Sequence, residues 1–176
     1  LPTAPREKFA ANIAAIQKLK EIEQRVANGG SPAFEDEQKI LAQYTGWGGL
    51  SDAFDPNKSA WSNEYSQLKA ALSESEYEAA RSSTLTAFYT PATVIHPIYR
   101  ALERFGVKGG KILEPSMGTG AFLAHGHFGS SDAKFYGVEL DSITGRISKQ
   151  LYQKANIQVT GYENALLPDN YFDCVI

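Results

Sequence analysis

The chain has 176 residues, 43% of them hydrophobic and 21% charged, with a net charge of −3 at neutral pH. Those proportions describe a folding globular chain of one domain, or one domain with an appended arm, and exclude collagen-like, disordered and disulfide-scaffold classes. No apolar run reaches the roughly 20 residues of a membrane span, the first residues lead into a charged helix instead of a signal core, and the single Cys174 permits no internal disulfide, so a reducing, cytoplasmic setting is expected.

Apolar residues Phe9, Ile13, Ile16, Leu19 and Ile22 recur at three- and four-residue spacing, and Gly29-Gly30 ends the pattern. They predict an amphipathic helix of about seven turns, with its stripe packed against the sheet portion of the chain. Ser31-Pro32 opens a second helix whose apolar side is Phe34, Ile40 and Leu41. Residues 44–50 set glycines 46, 48 and 49 around Trp47, which predicts a tight loop with the indole as a core plug in preference to a base-stacking platform. Ser73 with Glu76 forms a capping-box pattern ahead of Tyr77, Ala80 and Leu85, so a helix is expected from the mid-seventies to the low eighties. Thr90-Pro91 opens another, carrying Val94, Ile95, Ile98, Tyr99, Leu102 and Phe105 up to Gly106.

Beyond residue 110 the rhythm changes. Residues 112–113, 135–140, 157–160 and 171–176 read as strands, and 121–124 and 143–155 as helices between them. The alternation predicts βαβ units: an α/β fold with part of a doubly wound parallel sheet, covered on both faces, behind a helical amino-terminal extension. The expected division is residues 1–86 for the extension and 87–176 for an incomplete sheet domain.

In an open parallel sheet the ligand sits beyond the carboxyl ends of the strands. Glu114, Glu139 and Asn164 follow the first, second and third of them. Gly118 and Gly120 would let the backbone approach a ligand closely, and Glu139 stands about 20 residues after the loop, where an acid can accept from both hydroxyls of a ribose. The dinucleotide fingerprint requires a third small residue where this chain has Leu123, and the acid of Glu114-Pro115 would repel a pyrophosphate. A cofactor with an ammonium and a sulfonium suits that acid, which favours S-adenosylmethionine over NAD.

With those residues in view, the segment resembles class I S-adenosylmethionine-dependent methyltransferases, which have a Rossmann-like sheet. It looks most like the adenine-specific DNA methyltransferases, whose cofactor loop reads acid-Pro-x-x-Gly-x-Gly-x-Phe, here residues 114–122, preceded by a Tyr-Thr-Pro element, here 89–91. The resemblance implies that Tyr89, Thr90 and Pro91 border the methionine carboxylate. It also implies that Glu114, Pro115, Ser116, Gly118, Gly120 and Phe122 form the loop around the methionine portion. Glu139 would hold the ribose, Leu140 would pack on the adenine ring, and Asn164 with Ala165 would meet the adenine amino group, Asn164 standing where the family often has Asp. The family's catalytic Asn/Asp-Pro-Pro-aromatic motif follows a strand similar to residues 172–176, so the chain as given is expected to be a cofactor-binding fragment, inactive alone. The helical part with residues 44–50 further resembles the methylase module of large phage and conjugative-element proteins that join a methylase to a helicase-like region.

DNA is therefore the expected partner of the complete protein, although the acidic balance requires a local patch, or sequence outside this chain, to grip a phosphate backbone. The alternative is a non-catalytic docking or nucleic-acid-positioning module of a larger mobile-element protein. His96, His125 and His127 have no acids or cysteines at ligand spacing, so no metal is expected.

Overall fold

The structure, a computed structural model, describes residues 1–126 and 132–176, which form two compact units, residues 1–88 and 89–176. His127 lies outside the described residues.

The first unit is helical. In α1 (Pro5–Ala27), Pro5 occupies the first turn, where its missing N–H has no intrahelical partner to lose, and Phe9, Ile13, Ile16, Leu19 and Ile22 are buried. The stripe is core of this unit, with Phe9 edge-on to Trp47 and Trp61 at 6.1 and 6.3 Å. α2 (Glu35–Leu41) buries Leu41 and Glu37 only. The apolar side expected for α2 is therefore narrower than the sequence implied: Ile40 stays exposed, and Phe34 lies under the Arg25 guanidinium at 4.8 Å. Arg25 also forks onto Glu37 through bonds of 2.7 and 2.6 Å, and with the Phe34 N–H this holds the Glu37 carboxyl down at about 2.

Trp47 is a core plug, 1% exposed and edge-on to Phe9, Tyr44 and Phe54. Its loop is held by Asn12, a fully buried amide in the middle of α1: Nδ2 donates to the Gly46 carbonyl at 2.6 Å, and Oδ1 accepts the Thr45 N–H at 2.8 Å. Two 3₁₀ turns (Ser51–Phe54 and Ser59–Trp61) lead into α3 (Ser62–Ala71), which the sequence reading did not find. Only Leu68 of α3 is buried, so its apolar period is too weak to see. α4 (Glu74–Ser83) begins on the expected box, with Ser73 Oγ accepting the Glu76 N–H at 3.3 Å and Glu76 returning the bond to the Ser73 N–H at 2.9 Å. It buries Tyr77 and Ala80, while Leu85 lies beyond its end and is exposed.

The second unit runs α5 (Ala92–Arg104), β1 (Lys111–Glu114), α6 (Ala121–His125), β2 (Lys134–Glu139), α7 (Ser142–Leu151), β3 (Asn156–Val159) and β4 (Cys174–Val175). The four strands form one parallel sheet in the order β3-β2-β1-β4, with Leu113 beside Tyr136, Glu114 beside Gly137 and Glu139 beside Val159. This is the partial doubly wound arrangement that the sequence predicts.

Both faces of the sheet are covered, and the helices lie on one of them. Ile95 and Tyr99 of α5 pack with Phe122 of α6 on Ile112, Phe135 and Cys174, and Gly145 of α7 lies against Val159 and the Cβ of Glu139. Phe135 and Glu139 point the same way along β2, so all three helices share one face. The reason is topological: the β1-to-β2 and β2-to-β3 crossovers step in the same direction, and right-handed connections then place both helices on one side. The connection from β3 to β4 crosses the opposite face, where Tyr171 and Phe172 pack edge-on to Tyr136 at 5.6 and 5.2 Å. There the Gln158 side chain brackets Leu166, donating to its carbonyl at 3.0 Å and accepting its N–H at 2.9 Å.

Candidate functional site

The carboxyl ends of β1 and β2 converge on the loop formed by residues 115–120, and the sequence explains its shape. Gly118 and Gly120 have φ of +55° and +77°, a region that L side chains rarely enter. Each also has a ring where a Cβ would stand: Tyr89 would lie 2.8 Å from one on Gly118, and Tyr152 would overlap one on Gly120. Both positions therefore require glycine on two independent grounds.

Several polar groups of the turn are engaged from β2, from α7 and its C-cap, or within the loop. Met117 N–H donates to the Val138 carbonyl at 3.0 Å and Gly120 N–H to the Met117 carbonyl at 2.8 Å. Gly118 N–H donates to Glu139 Oε2 at 2.7 Å, while Ser148 Oγ and Tyr152 OH donate to the carbonyls of Gly118 and Gly120 at 2.8 and 3.0 Å.

Two acids sit at this corner. Glu114 is 7% exposed, and its Oε2 has no hydrogen-bond partner among the described residues. Burial first, and the neighbouring Glu139 charge second, push its carboxyl up to about 8. Glu139 is also raised by burial, against which the N–H groups of Asp141 and Gly118 pull downward. Its oxygens accept those two amides at 2.8 and 2.7 Å, and the Leu140 N–H also pulls the carboxyl downward. Glu139 does not cap α7. Asp141 does, accepting the Thr144 N–H at 2.7 Å and the Thr144 hydroxyl at 2.6 Å.

The other sequence-derived residues are distributed around this corner and away from it. Tyr89 covers Gly118 with its ring and reaches the Thr144 side chain with its hydroxyl, which burial drives well above the usual phenol range. Thr90 is half-buried and Pro91 is the N-cap of α5. Pro115 is half-buried and Ser116 exposed, ahead of the turn. Phe122 turns into the core, tilted against Tyr99 at 6.2 Å, and its carbonyl accepts the Tyr99 hydroxyl at 2.7 Å. Leu140 follows β2 with 77% of its surface exposed. Asn164 closes a 3₁₀ turn (Tyr162–Asn164) after β3, exposed and donating to the Glu163 carboxylate at 3.1 Å, with Ala165 half-buried behind it. His96 and His125 meet edge-on at 5.2 Å, and among the described residues no group of three or more His, Cys, Asp or Glu could hold a metal ion.

Sequence reasoning missed Ser148 and Tyr152. The available signal was a run of hydroxyl residues, Thr144, Ser148 and Tyr152, four apart on the second predicted helix.

A corner with a buried, unmatched carboxyl oxygen, a second acid beside it and a glycine turn fits a cationic ligand, whose charge favours ionisation of the acids, better than it fits a pyrophosphate. No protein-family model matches the chain. It is 26% identical over 149 residues to the Defense against restriction protein B of Escherichia phage P1, a match spanning 84% of this chain and 5% of that protein. It is 31% identical over 90 residues, 51% of its length, to the Modification methylase CviBIII of Paramecium bursaria Chlorella virus NC1A, of which it covers 24%. The chain thus spans at most about a quarter of the length of these relatives. Among solved structures, a Methanococcus maripaludis protein assigned as an S-adenosyl-L-methionine-dependent methyltransferase aligns at a TM-score of 0.38 and 21% identity. That alignment covers 47% of this chain and 42% of the other, and it adds nothing to what the strand order shows by itself.

Proposed function

We propose that this chain carries the cofactor-binding part of an S-adenosylmethionine-dependent methyltransferase, and that the complete protein methylates the exocyclic amino group of adenine in DNA. The observation that carries the reading is the Glu114 carboxyl, buried beside Glu139 with one oxygen unmatched. Leaving such an oxygen without a partner costs free energy that a cationic ligand recovers. An ammonium group offers three donors to it, whereas a dinucleotide would bring its phosphates to two acids.

When bound, S-adenosylmethionine supplies a methyl group activated on a sulfonium centre. The chain's own contribution is to bind and orient. Glu114 accepts from the methionine ammonium, with Pro115, Ser116, Gly118 and Gly120 forming the surrounding backbone and Phe122 anchoring the loop to the core. Tyr89, Thr90 and Pro91 border the methionine carboxylate. Glu139 accepts from the ribose hydroxyls, the exposed Leu140 takes the adenine ring, and Asn164 and Ala165 meet the adenine amino group. DNA as substrate is supported by the name of the viral relative, a modification methylase, and by the name of the phage relative, a defence against restriction.

Titration calorimetry of the full chain with S-adenosylmethionine and with NAD tests the cofactor reading, and binding of the first alone is expected. Preferential binding of NAD would sink it. Transfer of a labelled methyl group to adenine in DNA by the complete protein tests the substrate, and label found on RNA or protein instead would replace DNA.

A further inference from the structure

We infer that α7 and its C-cap contribute a stripe of hydroxyl residues, Thr144, Ser148 and Tyr152, whose role is to set the orientation of the cofactor loop, and that Ser148 and Tyr152 are positioning residues for the methyl donor. The inference rests on the cofactor reading above and deepens it. Residues four apart lie on one helix face, and each of these three grips a different part of the corner. Thr144 lies within hydrogen-bond reach of the Tyr89 hydroxyl, Ser148 Oγ donates to the Gly118 carbonyl at 2.8 Å, and Tyr152 OH donates to the Gly120 carbonyl at 3.0 Å. Ser148 is fully buried, and the Tyr152 ring fills the space in which a side chain at Gly120 would stand.

The consequence follows from peptide geometry. The chain has no cis peptide bond among the described residues, and in a trans peptide the N–H points opposite to the carbonyl of the residue before it. The Gly120 carbonyl also accepts the Ala124 N–H of α6 at 2.9 Å, so Tyr152 supports an orientation that α6 shares; with the Gly118 and Gly120 carbonyls held on these partners, the N–H groups of Thr119 and Ala121 point the other way. Glu139 fixes the intervening freedom by accepting the Gly118 N–H at 2.7 Å. The loop thus presents amides and withdraws carbonyls, the polarity that a ligand carboxylate needs. The buried Ser148 hydroxyl at Gly118, and the half-buried Tyr152 hydroxyl beside the α6 bond at Gly120, help to maintain that polarity from behind the loop, at positions whose φ allows the peptide planes to flip.

The test uses the full chain with Ser148→Ala, Ser148→Thr and Tyr152→Phe. Two readouts are taken: the carbonyl carbon resonances of Gly118 and Gly120 without ligand, and the calorimetric affinity for S-adenosylmethionine. Ser148→Ala is expected to shift the Gly118 resonance, Tyr152→Phe the Gly120 resonance, and each to weaken cofactor binding roughly three- to tenfold, the range of one net hydrogen bond. Ser148→Thr keeps the hydroxyl and is expected to restore both readouts, which a role in packing alone would not do. Unchanged affinity in Ser148→Ala and Tyr152→Phe, beside a wild type that binds, overturns the inference, as does an unmoved pair of resonances. A wild type that fails to bind S-adenosylmethionine while the resonances shift as expected overturns the cofactor reading instead.

Discussion

At the scale of single residues, Glu114 ties the structure to a measurable pH dependence. Its carboxyl is raised to about 8 in the folded protein, chiefly by burial and then by Glu139, and returns to about 4.3 in the unfolded chain. Between these values the folded protein keeps a proton that the unfolded chain has released. The stability it contributes is full below the unfolded value and is lost as pH rises through the folded one. Glu114→Gln removes this dependence: in urea unfolding the variant is expected to match the parent near pH 4 and to exceed it at pH 8 by on the order of a few kcal/mol. Cofactor binding runs the other way, because an ammonium favours the ionised acid. Affinity for S-adenosylmethionine is expected to rise from pH 6 to pH 8 with release of a proton, which calorimetry in buffers of different ionisation enthalpy detects. A parent whose affinity is flat across that window would remove the ammonium from Glu114. Glu139, by contrast, serves the protein as well as any ligand, since it pins the Gly118 and Asp141 amides. Replacing it would disturb the loop along with the ribose contact.

At the scale of elements, α1 shows how a buried polar side chain can organise a loop. Asn12 is the only described link from the middle of α1 to the Thr45 and Gly46 backbone, and it satisfies a donor and an acceptor together. Asn12→Ala would leave both backbone groups unmet in an apolar setting, and a loss of about 2–4 kcal/mol is expected from two such penalties. Denaturation followed by Trp fluorescence measures it, because Trp47 sits in the loop concerned; a loss under half a kcal/mol would mean that water replaces the amide. Nothing in the periodicity of α1 marks Asn12, which occupies a core position as a polar residue. The same limit explains most of what the sequence left unread. Strong, local signals were legible: the Ser73–Glu76 box, the glycine stop after α5, the strand ends at Glu114 and Glu139. Phe34 and Ile40 read as core because hydropathy alone cannot see that Arg25 covers the Phe34 ring from outside. α3 stayed invisible because Leu68 is its only buried residue. Ser148 and Tyr152 were passed over because a hydroxyl on a helix announces a partner only when the neighbouring loop is known.

For the molecule as a whole, the helical part has its own aromatic core around Trp47, and residues 89–176 have theirs around Ile95, Tyr99 and Ile112. Two cores need not melt together, and the sequence supplies separate reporters. Both tryptophans of the chain, Trp47 and Trp61, belong to residues 1–88. The glycine loop, Glu114, Glu139 and the α7 hydroxyls all belong to residues 89–176. A ligand stabilises whatever it binds in the native state by RT ln(1 + [L]/Kd), about 2.7 kcal/mol at a hundredfold excess over Kd. For a unit of this size that corresponds to a rise in melting temperature on the order of 10 °C or more. Saturating S-adenosylmethionine is therefore expected to raise one of two transitions in differential scanning calorimetry, that of the second unit, and to leave the Trp fluorescence transition where it was. If the Trp transition rises by the same amount, the two cores unfold as one cooperative body, and the helical unit then shares in the free energy of cofactor binding.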